Sequence, residues 1–121
     1  MPSIRWSAVA VAVVASALIA LLVRAVFGPA TAQLASLFGL VACGFLAGKW
    51  ANSAHAYHGA LVGAGFIVLE GLGVIPTSAY AGDAFADTVQ VIVLDGALLV
   101  ASTVGGLLAR VSSSSDTGTA R

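Results

Sequence analysis

The strongest constraint on this chain is that four apolar blocks, each about 20 residues long, occupy nearly its whole length. A helix of about 20 apolar residues crosses the ~30 Å hydrocarbon core of a bilayer. We therefore expect an all-α, polytopic membrane protein, a compact four-transmembrane-helix bundle whose single domain covers residues 1–111. The predicted helices span residues 7–26, 30–47, 56–75 and 88–109.

Composition supports this class and excludes others. Of the 121 residues, 60% are hydrophobic and 8% are charged, and the mean hydropathy is +1.04. The formal net charge of zero argues against a nucleic-acid partner, which needs a basic surface. The sequence contains no G-x-S-x-G elbow, P-loop, H-E-x-x-H or C-x-x-C motif. We therefore expect no enzyme activity, no metal site and no cofactor.

Breaking residues define the connections between the blocks. Gly28 ends the first helix, and Pro29 can begin the second because its missing N–H is not needed there. Residues 49–55 are predicted to form the second turn, and Pro76 the end of the third helix, followed by a polar loop over 77–87. The last segment, 112–121, is rich in Ser, Thr and Gly and is predicted to be a disordered cytoplasmic tail.

The basic residues predict the orientation. An even number of crossings puts both termini and the second turn on one side of the membrane. That side carries Arg5, Lys49, Arg110 and Arg121. By the positive-inside rule, we expect both termini in the cytoplasm and the protein in a bacterial cytoplasmic (inner) membrane.

The first block also imitates a secretory signal. Ala30-Thr31-Ala32 has the A-x-A pattern of a cleavage site. Arg24 interrupts the stretch before it, and the apolar run is longer than that of a signal peptide. We therefore expect this segment to be retained as the first helix.

Glycines recur at the spacing that brings one helix close to another. Small residues let helix backbones approach in lipid, where the hydrophobic effect gives no drive for association. The predicted packing positions are Gly39, Gly44, Gly48, Gly59 and Gly63. We expect membrane lipid around the bundle, and helix contacts with a second copy or a larger complex through Gly44 and Gly48.

Three charged residues lie within the apolar blocks. Arg24, Glu70 and Asp95 fall about 6–10 Å from the outer ends of their helices at a 1.5 Å rise per residue. A charge at membrane depth is costly and usually faces protein or water. We therefore predict a buried polar cluster, with three alternatives for its role. It is a clasp that fixes helix packing, a proton or ion site, or a set of side chains reaching water.

His55 and His58 lie on one face at the start of the third helix. Hydrogen bonding near the headgroups is their simplest role, since metal binding would need further ligands.

The middle of the chain resembles a known family. The residues Gly44-Phe-Leu-Ala-Gly48, a short polar turn and His58-Gly59-Ala-Leu-Val-Gly63 are similar to the YrzE-like family of small bacterial four-helix membrane proteins. The resemblance implies four helices and a cytoplasmic turn, and it implies no activity. Small multidrug transporters have a similar length, but their essential acid is in helix one, where this chain has Arg24.

The expected function is that of a non-enzymatic packing or accessory subunit of a membrane complex, or of a homo-oligomer. The alternative is a small proton- or cation-coupled transporter or channel that uses Glu70 and Asp95.

Overall fold

Four helices account for nearly all of the described backbone. The computed structural model describes residues 3–75 and 84–119. The helices are α1 (Trp6–Phe27), α2 (Pro29–Ala51), α3 (His55–Gly71) and α4 (Ala84–Thr119), and the described residues contain no strand. The all-α class and the four helices are therefore as predicted. Three segments are long and apolar enough to cross a membrane, namely Trp6–Phe27, Ala30–Ala51 and Phe85–Ser115. Helix α3 has 17 residues.

The end of α3 lies four residues before its predicted position at residue 75. The N–H of Gly73 donates to the carbonyl of Glu70, and the N–H of Val74 donates to that of Leu69. This is the Schellman pattern, with Gly73 in the left-handed conformation at φ +75°. A glycine therefore ends the helix. Pro76, the predicted terminator, and residues 77–83 of the predicted loop lie outside the described residues.

Helix α4, in contrast, is longer than predicted. It continues to Thr119 through the segment predicted to be disordered. Its serines donate hydrogen bonds to carbonyls three or four residues back, from Ser113 to Ala109 at 2.9 Å and from Ser114 to Val111 at 2.7 Å. These bonds occupy hydroxyls that would otherwise compete with the helix backbone. Residues 120 and 121 of the predicted tail are not among the described residues.

The two inner connections are short. Gly28, at φ +90°, separates α1 from α2, and Pro29 begins α2 as predicted. Helix α2 extends to Ala51 and not only to residue 47, so the second turn is reduced to three residues. Asn52 and Ala54 both adopt positive φ there, at 57° and 48°.

The middle of the bundle is formed by α2 and α3, with α1 and α4 on either side. Each of the outer helices contacts both α2 and α3, whereas α1 and α4 do not contact each other within the described residues. The most extensive contact is between α2 and α4, followed by that between α3 and α4.

Glycines make these two contacts possible. A Cβ atom added at Gly44 or at Gly59 would collide with the backbone carbonyl of Ser102 on α4. One added at Gly63 would collide with the Ser102 hydroxyl, and one at Gly48 would lie 3.0 Å from the Cβ of Ala109. Four of the five predicted packing glycines therefore face α4 of the same chain. Gly39 has an ordinary 3.6 Å contact with Ile19 of α1.

Large apolar side chains are found mainly on the outside. Phe38 and Phe85 are 75% and 80% exposed, whereas Phe66 is fully buried. Much of the interior consists of small residues, including Ala12, Ala20 and Ala47. In water this distribution would expose a large apolar surface to solvent, whereas in lipid it is the expected distribution.

We expect Gly44→Ala to lower the free energy of unfolding by about 1–3 kcal/mol, because the new methyl group must displace the α4 backbone. The measurement is denaturation of the purified protein with increasing amounts of a strong detergent, in which the helical circular dichroism signal monitors unfolding.

Gly71→Ala at the end of α3 is the matched control. No heavy atom lies within 4 Å of a Cβ built there. Helix propensity alone should then raise stability by up to about 1 kcal/mol. Equal effects of the two substitutions would contradict the close α2–α4 contact.

Candidate functional site

Two of the three predicted polar residues lie on neighbouring helices. Glu70 lies in the last turn of α3 and Asp95 on the neighbouring helix α4, and both are half-buried. Their charges are near enough to influence each other, and the helices that carry them are in contact. These two acids on adjacent helices are the carboxyl pair of the bundle.

Arg24 occupies a different setting. It lies in the last turn of α1, is half-buried and is engaged in an interaction of its own. No described contact links it to Glu70 or Asp95, and its helix does not touch α4 within the described residues. A cation in the last turn of a helix, as Arg24 is here, is stabilised by the helix dipole. A single cluster of all three residues stays a prediction.

The chemistry of the carboxyl pair follows from its charge. Two nearby carboxylates repel each other, and a proton or a bound cation between them relieves that repulsion. Carboxylate oxygens are suitable ligands for hard cations, but a full coordination shell needs more donors. Within residues 3–75 and 84–119, no group of three or more His, Cys, Asp or Glu residues is arranged to hold a metal ion.

A second polar site lies at the opposite end of the bundle, around the buried side chain of His58. Its Nε2 atom accepts a hydrogen bond from the backbone N–H of Arg5 at 3.1 Å. Its Nδ1 atom is 3.1 Å from the carbonyl oxygen of Ala54. Because a carbonyl only accepts, Nδ1 carries the proton and the ring is the neutral Nδ1–H tautomer. His58 thereby ties the start of α1 to the start of α3.

The C-terminal end of α2 is secured by side chains from other segments. The Nδ1 atom of His55 is 2.6 Å from the carbonyl oxygen of Gly48, and a guanidinium nitrogen of Arg5 donates to the carbonyl of Trp50 at 3.3 Å. The last carbonyls of a helix have no partner within it, so both contacts fulfil a structural need. Both histidines form hydrogen bonds, as predicted, and their place near the headgroups stays a prediction. The role of Arg5 has no local signal, since its partners lie 45 and 53 residues away.

A cleft of about 320 Å³ opens beside this junction. Its lining comprises Ala54, His55, Ala56, Tyr57 and Arg110. The first four lie at the start of α3, whereas Arg110 comes from α4. Sequence reasoning could use Arg110 to predict the orientation in the membrane, but it could not place Arg110 in a cleft with residues of α3.

Known proteins add no assignment to this geometry. No protein-family model, curated protein or solved structure matches the chain. The resemblance to the YrzE-like family over residues 44–63 therefore stays a prediction.

We expect His58→Ala to lower the free energy of unfolding by about 3 kcal/mol. The substitution leaves the Arg5 N–H without its partner, which costs about 1–3 kcal/mol, and also creates a cavity. Thermal unfolding in a mild detergent measures the change.

His55→Ala is the comparison, because it also removes one imidazole hydrogen bond from the same turn. His55 is only half-buried, so water can replace its ring, and we expect a loss of about 1 kcal/mol. A larger loss for His55→Ala than for His58→Ala would overturn the assignment of His58 as the junction.

Proposed function

We propose that this chain is a non-enzymatic integral protein of a bacterial cytoplasmic membrane that acts as a packing or accessory subunit of a membrane complex or as a homo-oligomer. The observation that carries this proposal is the inverted distribution of side-chain size. Small residues fill the helix contacts, and large apolar side chains such as Leu18, Phe38 and Val100 are exposed along three helices. A surface of this kind is stable in lipid or against another apolar protein surface.

Four crossings are part of the proposal, with both termini in the cytoplasm. Helix α3 rises about 25 Å over its 17 residues, slightly less than the ~30 Å hydrocarbon core. The apolar residues of 72–75 extend the segment beyond the helix. Arg5 contacts the end of α2, and Gly48 lies against Ala109, so Arg5, Lys49 and Arg110 share one end of the bundle. A common basic end favours the cytoplasmic side.

The surface for association has to differ from the one that the sequence suggested. Gly44 and Gly48 are buried against α4 and are not available to another chain. Gly96 on α4 is exposed and has open space around it, with Ile92, Val93 and Val100 exposed beside it along the helix. We therefore assign the outer face of α4 around Gly96 as the contact surface for a second copy or a larger subunit.

We expect the wild-type chain, purified in a mild detergent, to appear in native mass spectrometry as a discrete oligomer or complex. Gly96→Leu should release it as a monomer, because the added side chain keeps a partner helix away from the surface.

Gly71→Leu provides the matched control. This glycine is also exposed, and a Cβ added to it would have no heavy atom within 4 Å, but it lies at the end of α3. Its variant should retain the wild-type mass. Dissociation of both variants, or of neither, would rule out the α4 surface, and a wild-type monomer would rule out the subunit role.

The second candidate function is a small proton- or cation-coupled transporter or channel. The placement of Glu70 and Asp95 on adjacent helices supports it, because both acids are half-buried in otherwise apolar helices. An ionisable pair at membrane depth is a common feature of proton relays.

If this candidate is correct, Glu70→Gln and Asp95→Asn should each reduce proton flux in proteoliposomes to the level of empty liposomes. Both changes replace a titratable carboxyl group with an amide and preserve side-chain size. A pH-sensitive dye inside the vesicles reports the flux, and circular dichroism verifies the fold.

Asp87→Asn makes the same change in charge on the first turn of α4 and should leave flux intact. Transport would be excluded if the Glu70 and Asp95 variants show the same proton flux as the wild type, or if the wild type shows no flux. Glu70 and Asp95 would then have a packing role.

A further inference from the structure

The basic end of the bundle presents an arrangement of charge that hydrogen bonding within the chain does not explain. Arg5, Lys49 and Arg110 are all exposed there. Arg5 uses part of its guanidinium on α2, and Lys49 lies 5.8 Å from the ring of Phe45. The acid closest to Arg110 along α4 is Asp116, six residues or about 9 Å further on. This end therefore carries an excess of positive charge.

The cleft described above gives this charge a defined location. Arg110 lines this open cleft together with the small side chains of Ala54 and Ala56. The first turn of α3 contains no acidic residue, so no carboxylate there repels an anion. The cleft is therefore complementary to an anionic group.

The surroundings of the cleft are those of a membrane interface. Trp6, Trp50 and Tyr57 are exposed by 65%, 52% and 53% at this end. Such aromatic rings prefer the headgroup region. Leu107, one turn before Arg110 on α4, is also exposed and continues the apolar surface from the cleft towards the bundle. A ligand with a phosphate and an acyl chain would contact both kinds of surface.

We propose that this cleft binds the headgroup phosphate of an anionic phospholipid. Arg110 contacts the phosphate through its planar fork, which suits phosphate oxygens better than an ammonium group does. Basic pockets between helices on the cytoplasmic side are known sites for anionic headgroups. The inference rests on the proposed function only in that it needs this end to lie at a membrane interface.

The test is lipid binding to the purified full-length chain in mild detergent, measured by native mass spectrometry. The probes are short-chain phosphatidylglycerol and phosphatidylcholine. We expect phosphatidylglycerol to bind about tenfold more tightly, and Arg110→Gln to weaken its binding about tenfold. Arg110→Lys should also weaken it, since it keeps the charge but loses the fork.

Lys49→Gln is the matched control, because it removes one charge from the same end outside the cleft lining. Its effect should be less than about threefold. If Lys49→Gln and Arg110→Gln weaken phosphatidylglycerol binding equally, the attraction is diffuse and the proposed site is wrong. The same conclusion follows if Arg110→Lys binds the lipid as tightly as the wild type. Equal binding of the two lipids would also overturn it.

Inorganic phosphate separates the two sources of the anion. If phosphate alone displaces phosphatidylglycerol at similar concentrations, the cleft takes free phosphate and the lipid assignment is wrong. Reporter fusions to both termini test membrane insertion independently. An inserted protein without lipid selectivity refutes this inference alone, whereas a protein that does not insert refutes both the inference and the proposed function.

Discussion

The contact on which the rest of the structure depends is the backbone-to-backbone approach of α4 to α2 and α3 at Ser102. Glycines from both central helices, Gly44 and Gly59, face the same carbonyl oxygen of this residue. The Ser102 hydroxyl donates to the carbonyl of Leu99 at 3.0 Å, so this buried polar atom is satisfied within its own helix. Dispersion between closely spaced atoms replaces the hydrophobic effect as the source of association in lipid.

That contact determines how the remaining surface is used. Because the glycines are occupied within the chain, any further association has to use side chains that point away from α2 and α3. Within residues 3–75 and 84–119, helix α1 contacts the bundle through α2 and α3 alone. Its start is fixed by the hydrogen bond from Arg5 to His58, a polar contact at the end of a mainly apolar interface. The bundle is therefore held by close packing in its middle and by hydrogen bonds at its basic end.

The sequence predicts the helices well because their signals are local. Apolar blocks, the Gly28-Pro29 break and the packing glycines can each be read from neighbouring residues. It predicts less well where two signals compete. At the end of α3, Gly73 acts before Pro76, and in the tail the serine hydroxyls bond to the helix instead of opposing it.

The sequence is silent where partners are distant. Nothing local distinguishes a glycine that packs within the chain from one that packs between chains, and Gly44 packs within it. The same limit applies to Arg5, whose partner His58 is 53 residues away, and to Arg110, which completes a cleft begun by α3. Position along the helices is enough to predict Glu70 and Asp95 at the same end of the bundle, whereas a link to Arg24 depends on which helices are neighbours and stays a prediction.

The unbroken length of α4 has a mechanical consequence. Its 36 residues contain no proline, and Asp95 and Arg110 lie on the same rod about 22 Å apart along its axis. A continuous helix moves as a unit, so a shift or rotation of α4 at the carboxyl pair is carried to the cleft at the other end. The glycine contacts at Ser102 lie between these two points. A displacement of α4 at the carboxyl pair would therefore change the geometry of the cleft at the opposite end of the bundle.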